Sequence, residues 1–428
     1  MKKVLVITYY WPPAGGAGVQ RTLKFTKYLP ELGWKPYVLT VENPDAPVYD
    51  ESLFKDVNPE VEILKTKAIE PFSAYKKFTG KKDDEKIPAD ILMKKGGSFK
   101  EKFAKFVRAN FFIPDAKIGW LPHAVKKGEE IIRRENIDLI YASSPPQTVA
   151  LIGHKLSKKT GVKLVVDFRD PWLEIVYNQT MKRSKITILI DSKLERKVLQ
   201  NASAVVTVSN EFVDLFKSKV KEQNYFVIPN GYDEDDFPKI EKRKNSKFTI
   251  AYTGVISPDR VPYPLFYALG KLRDEGITDI TCTFAGKFAD EFNNEIEKRN
   301  LQRFFELKPF LPHSESVKIL LNADALLLVI NNVPNNKGVL TGKMFEYLGC
   351  KKPVFGIGPE DGEASKILDE TESGFMTDYG NNELAYERLK QLYLAWQKNE
   401  NLFKFKNEKY SRRKLTRTLA NIFEELIK

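Results

Sequence analysis

Residues 3–41 read KVLVITYYWPPAGGAGVQRTLKFTKYLPELGWKPYVLTV, and this stretch decides the fold. Residues 3–8 hold an unbroken apolar run, Val4 to Ile7, as expected of a strand buried on both faces. A Pro- and Gly-rich loop follows over residues 10–18. Residues 19–32 then carry apolar side chains at helical spacing (Leu23, Phe25, Tyr28, Leu29) and stop at Gly33, a residue suited to ending a helix. Residues 35–41 are the next strand. Strand, loop, helix and strand in this order open a parallel, doubly wound sheet.

The alternation continues outward. Residues 137–142, 163–168 and 204–208 read as strands separated by helices, and 226–228 close the first half. Asn230 and Gly231 begin an acidic turn and linker that ends at Pro238. A second series has strands at 247–253, 280–285, 305–307, 325–330 and 352–356. The 428 residues are enough for two or three domains. The predicted fold class is α/β: two Rossmann-like doubly wound domains facing a cleft, with ligands at the C-terminal ends of the strands. The expected division is an N-terminal domain over 1–232 with a basic insertion at 70–120, a C-terminal domain over 233–410, and a helix over 411–428 that packs back on the N-terminal domain.

Two cysteines, Cys282 and Cys350, make no disulfide framework and have no metal spacing, which points to a reducing compartment. No signal-peptide pattern follows Met1, and no apolar run approaches the roughly 20 residues of a membrane span. A cytoplasmic protein is expected. Net charge is +12 and uneven: residues 1–230 hold 39 Lys/Arg and 27 Asp/Glu, and the rest hold 30 of each. This excess is either a field for anionic partners or a solvated Lys-rich face. Residues 76–108 carry eleven Lys/Arg against five Asp/Glu, and Phe99, Phe103, Phe106 and Val107 share one helical face. Such a helix lies in an anionic membrane interface or packs its Phe stripe into the core.

The loop at Gly15, Gly16 and Gly18 lies between the first strand and the first helix, where small residues let backbone amides approach a ligand. It is no dinucleotide fingerprint, because Arg21 stands where the third glycine would be. The strongest candidate site is TGKMFEYL at 341–348, after the apolar strand 325–330 and a polar loop. Thr341 and Gly342 would open a helix whose free N–H groups hold phosphate, Lys343 would add charge, and Glu346, one turn in, would accept ribose hydroxyls. Gly254 is read as a second glycine loop after a strand, with Arg260 at its far end suited to a leaving diphosphate. Gly286 is read as ending the next strand. Asp233, Glu234 and Asp235 spell D-x-D, but they sit in the linker, where turn chemistry is the simpler reading. His123, His154 and His313 have no metal spacing. No metal and no other cofactor is expected.

Together these motifs resemble the retaining sugar-nucleotide glycosyltransferases of family 4, with their two-domain GT-B fold. YYWPPAGGAGVQR (9–21) looks like that family's acceptor-side glycine loop, VSN (208–210) and IPNGYDEDDF (228–237) its pre-linker motifs, and YTGVISPDR (252–260) and GKMFEYLGCKKPV (342–354) its donor loops. The sequence departs from the pattern in three places. Gly338 stands where the first of two glutamates is often found, with Glu346 matching the second; Arg169 replaces the usual His before Asp170; Val255 and Arg260 replace an Arg and a Lys. The resemblance implies transfer of a sugar from a nucleoside diphosphate sugar to an acceptor hydroxyl, with retention; the basic N-terminal half suits a role in cell-surface polysaccharide or glycolipid assembly. The resemblance also implies donor binding by Gly254, Arg260, Gly286, Thr341, Gly342, Lys343 and Glu346, and makes Arg169 and Asp170 the candidate catalytic residues. The donor is the partner that the resemblance implies; the charge excess of residues 1–230 adds the expectation of a lipid-linked or polysaccharide acceptor and an anionic membrane at the inner face of the plasma membrane, and no nucleic acid is expected. A sugar-nucleotide epimerase of the same fold, or a nucleotide-binding scaffold without turnover, are the rival readings.

Overall fold

The computed structural model describes residues 1–46, 49–69, 106–107, 109–175, 183–238, 245–334 and 336–428. They form two compact units, one of residues 1–229 with 415–428 and one of residues 230–414. Most of the basic insertion, including Phe99 and Phe103, lies outside the described residues.

The first unit holds a seven-stranded sheet in the order β3-β2-β1-β4-β5-β6-β7. Its strands are β1 (Lys2–Ile7), β2 (Trp34–Val41), β3 (Glu62–Thr66), β4 (Leu139–Ser144), β5 (Lys163–Phe168), β6 (Ala204–Thr207) and β7 (Tyr225–Val227). All described pairings are parallel. The strand order reverses between β1 and β4, so the loops after these two strands flank the switch point. One apolar cluster packs on each face: Leu5, Ile7, Ile140 and Val166 on one side, Val4, Val6, Leu139 and Val165 on the other. The period-two split of β1 is why its run is apolar throughout. Leu415, Leu419 and Phe423 of the C-terminal helix Arg412–Ile427 complete the second cluster.

The second unit holds a six-stranded sheet in the order β10-β9-β8-β11-β12-β13. Here β8 is Phe248–Ile256, β9 Ile280–Phe288, β10 Phe305–Lys308, β11 Ala325–Val329, β12 Val354–Ile357 and β13 Gly374–Thr377. The switch point lies between β8 and β11. Both units are doubly wound α/β, as predicted.

Three local expectations change. The first helix spans Ala17–Tyr28 and not 19–32, because Pro30 starts a separate 3-10 turn, Pro30–Leu32, before Gly33 closes it at φ 83°. Edge strands β3 and β13 were not foreseen. Gly254 and Gly286, read as loop and strand end, lie inside β8 and β9 and pair with each other in register.

Candidate functional site

In the second unit, β8 and β9 run side by side past the point where their apolar pattern ends. Gly254 has φ 125° and Gly286 φ 151°, conformations that L side chains rarely adopt. A Cβ on Gly286 would sit 1.7 Å from the Gly254 carbonyl oxygen, so only glycine fits there. A Cβ on Gly254 would sit 2.5 Å from the Lys343 ammonium. The two glycines thus open a space beside the switch point, and Lys343 reaches into it.

Lys343 comes from the helix Gly342–Cys350, which follows β11. Its Nζ donates to the Tyr252 hydroxyl at 2.8 Å and lies 4.3 Å from the centroid of that ring. Burial first, and the Arg260 charge second, push Lys343 down to about 8. Burial likewise pushes the Tyr252 hydroxyl up to about 12. Arg260 is fixed by a network across the switch point: its Nε donates to Asn331 Oδ1 at 2.8 Å, and the Asn331 amide donates in turn to the Asp259 carboxylate. Two cations held within each other's field, one partly desolvated, make a site that favours a multiply charged anion.

The helix Gly342–Cys350 starts without a side-chain cap. The Thr341 hydroxyl is buried, with no hydrogen-bond partner among the described residues, and a side chain at Gly342 would meet open space. Free N–H groups at this end suit a phosphate. Glu346 lies one turn in, and its Oε1 is 2.7 Å from His313 Nε2.

The equivalent position in the first unit is filled. The helix Gln147–Thr160 follows β4, and Asp115 covers its N-terminus: Thr148 donates its backbone N–H to Oδ2 at 2.8 Å and its hydroxyl to Oδ1 at 2.8 Å. An internal carboxylate occupies this helix start, whereas the helix start at Thr341 in the second unit carries no side-chain cap.

Arg169 and Asp170 follow β5 in the first unit. The Arg169 guanidinium donates to the backbone carbonyls of Gly18, Pro145 (2.6 Å) and Ser144 (3.2 Å), tying the glycine loop to the loop after β4. Gly16 caps the first helix at φ 90° and Gly15 is buried. Asp170 is exposed. Beneath them, Arg21 and Asp167 form a buried two-bond ion pair, both bonds 2.9 Å, that also receives the Tyr141 hydroxyl at 2.7 Å. Burial would raise the Asp167 carboxyl, but the Arg21 charge and the hydrogen bonds outweigh it and hold it below its ordinary value. The pair anchors the first helix and its loop to the sheet.

The structure therefore brings together Gly254, Gly286, Arg260, Lys343, Thr341, Gly342 and Glu346 in one unit, and Gly15, Gly16, Gly18, Arg169 and Asp170 in the other. Tyr252, Asn331, Asp259 and His313 were missed; the tyrosine two positions before Gly254 was the one visible signal. His154 is buried in its helix, where burial lowers its pKa. The Asp233 carboxylate accepts from the Asp235 backbone N–H at 3.2 Å, so it caps the short turn Glu234–Asp236.

Residues 88–236 match the model of Glycosyltransferase Family 4, in line with the resemblance read from the motifs. No curated protein matches the sequence. Among solved structures, sucrose-phosphate synthase from Thermosynechococcus elongatus superposes with a TM-score of 0.63 at 13% identity, covering 100% of this chain and 99% of its own. A glycosyltransferase from Rickettsia africae gives 0.61 at 16%, with coverage of 100% and 99%. HepE from Anabaena, solved in complex with UDP, gives 0.61 at 14%, with coverage of 99% and 100%. At such identities the likeness is one of fold, and that fold is GT-B.

Proposed function

We propose that this chain, similar to Glycosyltransferase Family 4 over residues 88–236 and of GT-B fold throughout, is a glycosyltransferase that takes its sugar from a nucleoside diphosphate sugar. The observation that carries the reading is the constellation at the second switch point: two paired glycines at positive φ, two cations held close, an uncapped helix N-terminus and a carboxylate one turn further. UDP in the HepE complex is a ligand of the same chemical class.

In this reading Glu346 accepts ribose hydroxyls, and Arg260, Lys343 and the helix N-terminus hold the diphosphate. The bond between the anomeric carbon and the diphosphate breaks with its electron pair on the phosphate oxygen. The acceptor oxygen bonds that carbon, and its proton passes to the departing diphosphate oxygen. Arg260 and Lys343 stabilise the growing charge, which requires no metal ion. Transfer proceeds with retention, as the resemblance implies. The N-terminal unit presents the acceptor; Arg169 positions its glycine loop, and the exposed Asp170 is the carboxylate free to approach substrate.

A lipid-linked or polysaccharide acceptor at the inner face of the plasma membrane fits the surface of that unit. Phe111 is 72% exposed and Ile186 71%, with Phe106, Leu189 and Ile190 also exposed. Asn110 accepts from the Ser184 backbone N–H at 2.7 Å and so joins the two segments that carry them. Lys185, Lys193, Arg196 and Lys197 are exposed on the same helix, Lys185–Asn201. Apolar side chains beside a basic row, on the half of the chain that holds the whole charge excess, complement an anionic bilayer.

The test is calorimetry with UDP, GDP, ADP and their sugars. One of them binds, and Glu346→Gln weakens it by about 1–3 kcal/mol, the cost of a charge-assisted hydrogen bond. Binding of none, or an affinity untouched by Glu346→Gln, removes the donor assignment. Interconversion of the free nucleotide sugar without an acceptor would favour an epimerase.

A further inference from the structure

Glu346 does not stand alone. His313 opens the helix His313–Asn322, which follows β10, and its Nε2 lies 2.7 Å from Glu346 Oε1. His313 is 51% exposed and Glu346 20%, so the pair lies at the surface of the second unit with the carboxylate on the inner side. With its proton on Nε2, the imidazole donates this bond and the carboxylate oxygen accepts it. Oε1 is then committed, and the plane of the carboxylate is set by a ring on the neighbouring helix. Oε2 is the oxygen left for an incoming hydroxyl.

We propose that His313 is a positioning residue of the nucleotide site: it holds Oε1 of Glu346 and turns Oε2 toward the ribose, so that recognition of the nucleoside, and not of the diphosphate, depends on it. The inference rests on the donor reading above. It separates the site into two parts that fail independently. Arg260, Lys343 and the helix N-terminus grip the diphosphate. Glu346 and His313 grip the sugar of the nucleoside. A residue 33 positions before Glu346, without metal spacing, thereby acquires a role.

The experiment compares three probes by calorimetry: the tightest of UDP, GDP and ADP, its 2′,3′-dideoxy counterpart, and inorganic pyrophosphate. His313→Ala weakens the nucleoside diphosphate by about fivefold, the scale of one hydrogen bond. It leaves the dideoxy compound and pyrophosphate unchanged. His313→Gln, which keeps a donor, restores most of the affinity, and His313→Ala has no further effect in a Glu346→Gln background. Equal weakening of all three probes would mean a general distortion and overturns the role. So does an unchanged affinity for the nucleoside diphosphate in His313→Ala. Wild-type protein that binds pyrophosphate but no nucleoside diphosphate overturns the donor reading itself, and the role with it; wild-type protein that binds both while His313→Ala behaves identically overturns only the role.

Discussion

The Lys343 ammonium lies where a side chain on Gly254 would begin, with 2.5 Å from Nζ to the position of the absent Cβ. A lysine and a glycine 89 positions apart thus share one volume. The lysine is desolvated there, and that sets its charge.

Lys343 sits at about 8 through burial and the Arg260 charge, so it is largely cationic below that pH and neutral above it. Affinity for pyrophosphate or a nucleoside diphosphate should therefore fall as pH rises from 7 to 9.5, and binding at pH 8 should take up protons. Calorimetry at pH 8 in two buffers of different ionisation enthalpy measures that uptake. Lys343→Arg should flatten the pH dependence. A flat wild-type profile would show that Lys343 does not touch the anion.

Gly286→Ala places a Cβ 1.7 Å from a backbone oxygen, and the paired strands must part to admit it. Destabilisation of about 2–4 kcal/mol is expected, with binding lost. Gly254→Ala meets only the flexible end of Lys343 but is strained at φ 125°. It should cost about 1–3 kcal/mol and displace the ammonium, so that its binding defect exceeds what its melting temperature accounts for. Denaturant unfolding of both variants separates the two effects.

Glu195 is buried, with Oε1 2.7 Å from Lys219 Nζ and Oε2 without a partner among the described residues. Burial raises it to about 7 against the opposing pull of Lys219. Its folded value lies above its unfolded one, so its contribution to stability is present below about 4.5 and is lost as pH rises through about 7. Glu195→Gln should therefore gain on the wild type by up to about 3 kcal/mol between pH 4.5 and 8. Melting curves of the two proteins across that range that stay parallel would contradict this.

Membrane docking should depend on the exposed apolar turn. Ile186→Glu with Leu189→Glu should abolish co-sedimentation with vesicles rich in phosphatidylserine and leave nucleotide affinity intact. Binding of the wild type should fall with salt, since each lysine near the surface adds about 1 kcal/mol that is screened within a Debye length. Equal binding to neutral vesicles would remove the electrostatic part of the argument.

Strand and helix order was legible because parallel strands covered on both faces are continuous apolar runs, as in residues 4–7 and 325–330. Edge strands β3 and β13 escaped because EILKT and GFMT are short, each with only two apolar residues, as many loops have. The helix Gly342–Cys350 could be read from TGK and the Glu one turn on, since both signals are local. Asp115 over Thr148, Arg21 against Asp167, and His313 beside Glu346 could not, because each joins residues that meet only after folding. Gly254 and Gly286 misled for a physical reason: glycine usually ends a strand, whereas here each stays in the ladder to make room beside it.

The C-terminal helix has a consequence for biosynthesis. Phe423 packs against Trp34 with ring centroids 5.2 Å apart, and Leu415 and Leu419 close the same face of the first sheet. A ribosome emits Trp34 well before Phe423, with all of residues 230–414 made in between. Until then the nascent first unit carries an uncovered apolar face, a surface for chaperones or for aggregation. A chain stalled or truncated just before residue 415 should therefore be captured by holdase chaperones even though every strand of both sheets has already been made.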